Sequence, residues 1–379
     1  MIALARKTLV HEWRRFVPAI FAVGFSGVLL AMQAALVLGI FSSAALYVTA
    51  SSADLWVGYP GTQSVSFGRA LSADVEMRLR MEPQVAAVEP YVWVDGDWRG
   101  QQALASGGLS VYLSGISTDS RALMFSRLLL PWQRERLREP GAVIVDRADL
   151  AVLGGGPGGR AWINNHPVQV VAAIEGLRGL GGVNVLASLA TAREIAGETA
   201  ADGSTYFVAS LAADAPVEQV LQRLRTGGAS FGPFEVWTAE DFARLSQQYW
   251  MLDTGAGAGV LFMAVIVCLV GSVVTSQSLK TVVVGSAREY ATLNALGVGR
   301  GALSWVVIEQ ACWIGALGFV VAAGASALLL AVASTYRVPV AMSGAAVLVC
   351  AGLLAALALL SGLGAVRSLL RADPAALLR

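Results

Sequence analysis

SAREYATLNALGVGRGALSWVVIE, residues 286–309, is a short polar stretch set between two long apolar runs, and its surroundings decide the class of the protein. Read as a helix, it brings Tyr290, Leu293, Leu296 and Gly297 to one side at steps of three and four, with Arg288 and Glu289 at its start. A helix of about ten residues is marginal alone in water. The pattern therefore predicts a segment that lies against the membrane surface and docks onto a partner.

Outward from this stretch the chain is apolar. Charge-free runs cover 17–53, 254–279 and 338–366, and the run from 301 to 336 is broken only by Glu309. Hydrophobic residues make up 56% and charged residues 14% of the 379, against about 25% charged in an ordinary soluble domain. Each run exceeds the ~20 residues that cross ~30 Å of hydrocarbon. The expectation is an α-helical membrane protein with four transmembrane helices, at 17–47, 254–279, 301–333 and 340–366, with a short external loop at 334–339. A large mixed α/β domain at 48–253 lies between the first and second spans.

Charge placement orients these segments. Residues 48–253 carry 16 Arg, no Lys and 22 Asp or Glu, whereas the rest of the chain holds 11 basic and 4 acidic residues. Ten of those 11 lie in the N-terminal segment (Arg6, Lys7, Arg14, Arg15), the loop after the second span (Lys280, Arg288, Arg300) and the tail at 367–379 (Arg367, Arg371, Arg379). The positive-inside bias then places both termini and the segment at 280–300 in the cytoplasm, and the insert outside. Residues 1–16 space Ile2, Ala5, Leu9, Trp13 and Phe16 as an interfacial amphipathic helix. A secretory signal is the competing reading, because VTA at 48–50 resembles a cleavage site, but the apolar run is longer than a signal core. Cys268, Cys312 and Cys350 all fall in the spans, so the insert contains no cysteine for a disulfide.

Within the insert, strands are expected at 54–59, 90–98 with a turn at Asp95-Gly96, 109–117, 142–146, 167–174, 182–186, 205–211 and 234–238. Helices are expected at 72–82, 119–128, 189–197, 216–226 and 239–249. The last runs almost directly into the second span, which suggests a stiff rod over 239–279. The glycine-rich stretches at 154–159 and 176–182 lack the Lys-Ser/Thr that a P-loop needs and read as loop tips. Glu309 is the one acid inside a span. It is read as hydrogen-bonding a loop or neighbouring helix, with proton or substrate handling as the alternative.

REYATLNALGVGRGAL at 288–303, Glu309 with Gly315 and Gly318, and the tail ADPAALLR at 372–379 resemble the permease domain of the FtsX/MacB family of ABC transporters. SSADLWVGYPGTQSV at 51–65 and FEVWTAEDFA at 234–243 make the chain most similar to the DevC branch. The resemblance implies a multi-pass permease of the bacterial inner membrane that is not itself an enzyme. It would work as a homodimer with a separate ATPase that binds ATP and Mg, a periplasmic membrane-fusion adaptor and a TolC-like outer-membrane channel. It further implies that Arg288, Glu289, Tyr290, Leu293, Leu296 and Gly297 contact the ATPase, and that ATP-driven motion is relayed outward by mechanotransmission for tripartite efflux of a lipidic or amphiphilic substrate. No cofactor or metal is expected in this chain. An FtsX-like regulator of a periplasmic enzyme and Lol-like extraction of lipoproteins are the alternatives.

Overall fold

The computed structural model describes residues 11, 13–100, 108–197, 203–226, 231–285, 299–336, 338 and 340–371. In chain order the elements begin with α1 (Trp13–Ser43), β1 (Leu55–Gly58), β2 (Leu71–Ser72), α2 (Ala73–Arg80), β3 (Val85–Gly100) and β4 (Leu109–Ile116). There follow β5 (Ala142–Asp146), β6 (Arg160–Ile163), β7 (His166–Ile174), β8 (Val183–Ser188), α3 (Leu189–Ala196), β9 (Gly203–Ser204) and β10 (Tyr206–Leu211). The chain closes with α4 (Val217–Thr226), β11 (Glu235–Thr238), α5 (Ala239–Gln248), α6 (Ala256–Gly285), α7 (Arg300–Thr335) and α8 (Gly344–Arg371). These form two compact units, Phe41–Ala256 and the remainder.

In the α/β unit, the LWVG of β1 is buried along its whole length. Alternation sends Leu55 and Val57 to one face of the sheet and Trp56 to the other. Leu55 and Val57 pack with Val75 and Leu79 of α2 and with Val220, Leu221 and Leu224 of α4. On the opposite face Trp56 lies against Tyr91, Tyr206 and Phe242, with ring centroids 5.4–5.8 Å apart. Ser72, Ser188 and Thr238 cap α2, α3 and α5 through their hydroxyls.

The strand order β11-β1-β10-β3 is antiparallel throughout. With α2 between β1 and β3 and α4 between β10 and β11, this first lobe is a split β-α-β-β-α-β arrangement. Everything between the middle of β3 and β9 is inserted into it. The 16 residues of β3 pair successively with β10, β4 and β6. The path β3-β4-β8-β5-β7-β6 therefore returns to β3 and closes six strands into a small barrel, with β4–β8 and β5–β7 parallel. Val92, Val111, Leu113, Val143, Val185 and Ile163 are among the side chains filling it.

Three sequence expectations are corrected here. No turn forms at Asp95-Gly96: Asp95 pairs with Tyr112 and Gly96 with Val111 in an unbroken ladder. A Cβ at Gly96 would lie 2.7 Å from Ile163 Cγ2, so this glycine permits close packing across the closing strands instead of bending the chain. The expected helix at 119–128 is an irregular loop in which Phe125 takes a left-handed φ of 52°. The rod over 239–279 is jointed: α5 stops at Gln248, a π-helical turn spans Tyr249–Asp253, and Gly255 has φ +74° before α6 begins. That conformation suits glycine and ends a right-handed helix. Strand β6, RAWI, was not foreseen because it is short and follows the glycine run.

In the helical unit, three helices are long and apolar enough to cross a membrane among the described residues, namely Trp13–Ser43, Ala256–Ser278 and Ile308–Thr335. The shorter apolar stretch Gly344–Ala356 begins α8. Helices α1, α7 and α8 approach closely through small residues: a Cβ at Gly27 would stand 2.6 Å from Ala322 Cβ and 2.8 Å from Leu354 Cδ2. Gln33 Nε2 donates to the Val260 carbonyl at 3.3 Å, tying α1 to α6.

Candidate functional site at the root of the α/β unit

The residues expected to carry coupling, Arg288, Glu289, Tyr290, Leu293, Leu296 and Gly297, lie outside the described residues, as do the amphipathic segment at 1–10 and the tail at 372–379. The described chain leaves α6 at Gly285 and re-enters α7 at Arg300 behind Gly299. Glu309 is in α7, where its Oε2 is buried with no hydrogen-bond partner among the described residues. The next residue, Gln310, is buried too.

A heavily built polar site among the described residues is the root of the α/β unit, where the chain enters from α1. A helical turn, Leu46–Thr49, carries Tyr47 into the interior. Its hydroxyl donates to Asn184 Oδ1, and Asn184 Nδ2 donates to the Leu177 carbonyl at 2.7 Å. Asn184 sits in the apolar strand β8 and is fully buried. Burial pushes the Tyr47 hydroxyl well above the usual tyrosine range and holds it as a neutral donor. The glycine-rich stretch at 176–182 closes over this pair: Leu177 is fully buried, and its N–H donates to Asp146 Oδ2 at 2.7 Å. Arg178 pairs with the buried Asp149 at 3.1 Å. The stretch is thus a clasp around Asn184, which corrects its reading as a loop tip.

A second set of bonds ties the root to the loop at 117–130. Ser52 N–H donates to the Leu123 carbonyl, Arg127 N–H to the Ala50 carbonyl, and Arg127 Nη1 to the Thr49 carbonyl, all at 3.0–3.2 Å. The loop is held from behind by Arg134, whose guanidinium donates to the carbonyls of Ser117, Ala122 and Met124. Glu89 of β3 accepts from Leu123 N–H at 2.8 Å. These side-chain partners hold 117–130 in an irregular path, with Phe125 in the left-handed region that a right-handed helix excludes. Burial raises the Glu89 carboxyl above its ordinary range, against the pull of the Leu123 and Met124 amides and of Arg134. Burial likewise lowers the Arg134 guanidinium.

The root is a site that holds rather than reacts. Moving the segment at 46–52 must either carry the loop and β8 with it or break buried hydrogen bonds, each of which leaves an expensive unpaired group. Sequence reasoning missed Tyr47, Asn184, Arg134 and Glu89. The available signal was a lone Asn in the apolar run VNVLAS, because a buried amide requires partners.

Residues 261–374 match the family model described as FtsX-like permease C-terminal. No curated protein matches the chain. Among solved structures, the periplasmic region of MacB from Actinobacillus actinomycetemcomitans is similar at 12% identity and a TM-score of 0.37, over 52% of this chain and 94% of that one. The extracellular domain of the noncanonic ABC-type transporter YknZ from Gram-positive bacteria is similar at 13% identity and a TM-score of 0.34, over 48% of this chain and 98% of that one. A domain of a permease protein from Porphyromonas gingivalis gives 12% identity and a TM-score of 0.34, over 48% and 88%.

Proposed function

We propose, from the premise that this chain is an ABC-transporter permease of the FtsX/MacB type in its C-terminal region, that it couples ATP hydrolysis by a separate ATPase to movement of a periplasmic α/β domain. The observation that carries the reading is the FtsX-like match over 261–374, which contains the polar segment between α6 and α7. In this reading the chain has four spans, both termini are cytoplasmic, and two copies pair around the ATPases. Arg288, Glu289, Tyr290, Leu293, Leu296 and Gly297 are the surface the ATPase grips. Displacement reaches the α/β domain through the Tyr47 root and through α5. The DevC-like stretches at 51–65 and 234–243 favour export of a lipidic or amphiphilic substrate through an adaptor and a TolC-like channel.

The test is recovery of the ATPase with the permease. Changing Tyr290→Asp and Leu293→Asp together puts two charges on the apolar ridge and should abolish co-purification, with the permease still folded. Undiminished recovery would remove these residues from the interface.

A further inference from the structure

Phe67 ends a 3-10 turn, Val65–Phe67, and remains 49% exposed although its ring packs against Tyr249 at 5.1 Å and Trp250 at 6.5 Å between centroids. Trp250 Nε1 donates to Ser64 Oγ at 3.2 Å, fastening this turn to the π-helical turn Tyr249–Asp253. The same π-helical turn presents Met251 and Leu252 to the outside, Leu252 at 67% exposure. The result is a contiguous surface of aromatic rings and apolar side chains, joined by ring contacts and by the Trp250–Ser64 hydrogen bond.

Chain connection says what covers it. Leu252 is four residues before Ala256, the first residue of the apolar helix α6. At no more than ~3.6 Å per residue, it lies within ~14 Å of the point where that helix starts. Tyr and Trp, with apolar rings and polar tips, concentrate where membrane meets water, and exposed apolar side chains beside them suit the same boundary. We infer that Phe67, Tyr249, Trp250, Met251 and Leu252 form a lipid-contact surface that sits in the headgroup layer of the bilayer and anchors the α/β unit there. The inference needs α6 to enter the bilayer and is independent of the export reading, which ATPase recovery tests separately.

The experiment uses the full chain in phospholipid nanodiscs, with Cys268, Cys312 and Cys350 changed to Ser. A nitroxide is attached after Phe67→Cys, Leu252→Cys or, as a reference between barrel strands β5 and β6, Val152→Cys, which is 62% exposed. At 67 and 252 the ratio of collisions with oxygen to collisions with a water-soluble nickel chelate should exceed that at 152 several-fold. A ratio at either position equal to that at 152 overturns the surface. In the otherwise unchanged chain, Trp250→Phe should remove part of the tryptophan quenching by lipids brominated near the headgroup. Quenching that is unaltered by Trp250→Phe overturns it as well.

Discussion

Tyr47 is the residue through which the entering chain is locked into the barrel lobe. Tyr47→Phe keeps the ring but leaves Asn184 Oδ1 buried and unpaired, a loss of about 1–3 kcal/mol. The expected readout is a lower urea midpoint for the full chain, with faster amide exchange at Leu177. Glu89 predicts a pH dependence. Its folded carboxyl holds a proton more tightly than the unfolded one, so its contribution is greatest below the ordinary carboxylate range and declines as pH rises through the raised value. Glu89→Gln keeps an acceptor for Leu123 N–H and removes the titration, so its urea midpoint should fall less between about pH 4 and about pH 7 than that of the parent chain. Neither role was legible in the sequence. An Asn or a Glu in a strand shows its type but not its partners, and these partners are 137 and 34 residues away.

Among elements, strands with strong alternation or full burial were legible: β1, β4, β5, β7, β8, β10 and β11 all fall where β-branched and aromatic residues cluster. Helices with a hydroxyl cap were legible for the same local reason. The misreadings arose where tertiary contacts overrode local preference. Asp95-Gly96 has turn chemistry, yet the strand runs through it because closure brings Ile163 against Gly96. Gly96→Val should therefore overpack the barrel and cost about 1–3 kcal/mol, seen as a lower urea midpoint. Gly155→Ala, in open space, should leave the midpoint unchanged. The loop at 117–130 has a helix-forming composition, and the groups that fix its irregular path, Arg134, Glu89 and the carbonyls of Thr49 and Ala50, all lie outside it in sequence.

For the whole molecule, composition alone separated membrane helices from an α/β insert, because charge is nearly excluded from the first and concentrated in the second. Sidedness is a statement about the entire chain and is tested as one. With Ser230→Cys in a background without the native cysteines, an impermeant maleimide should label intact spheroplasts, and protection there would contradict an external α/β unit. The insertion of the barrel lobe into the first lobe also sets an order of assembly. Leu55 pairs with Ala209, so β1 leaves the ribosome about 150 residues before its partner. At roughly 5–20 residues per second that is a wait of about 8–30 s. During it the barrel strands from β4 to β8 have already been made, while LWVG, buried on all sides in the finished protein, stands unpaired. Biosynthesis therefore exposes this strand longest, and a holding chaperone would have most to gain by binding there.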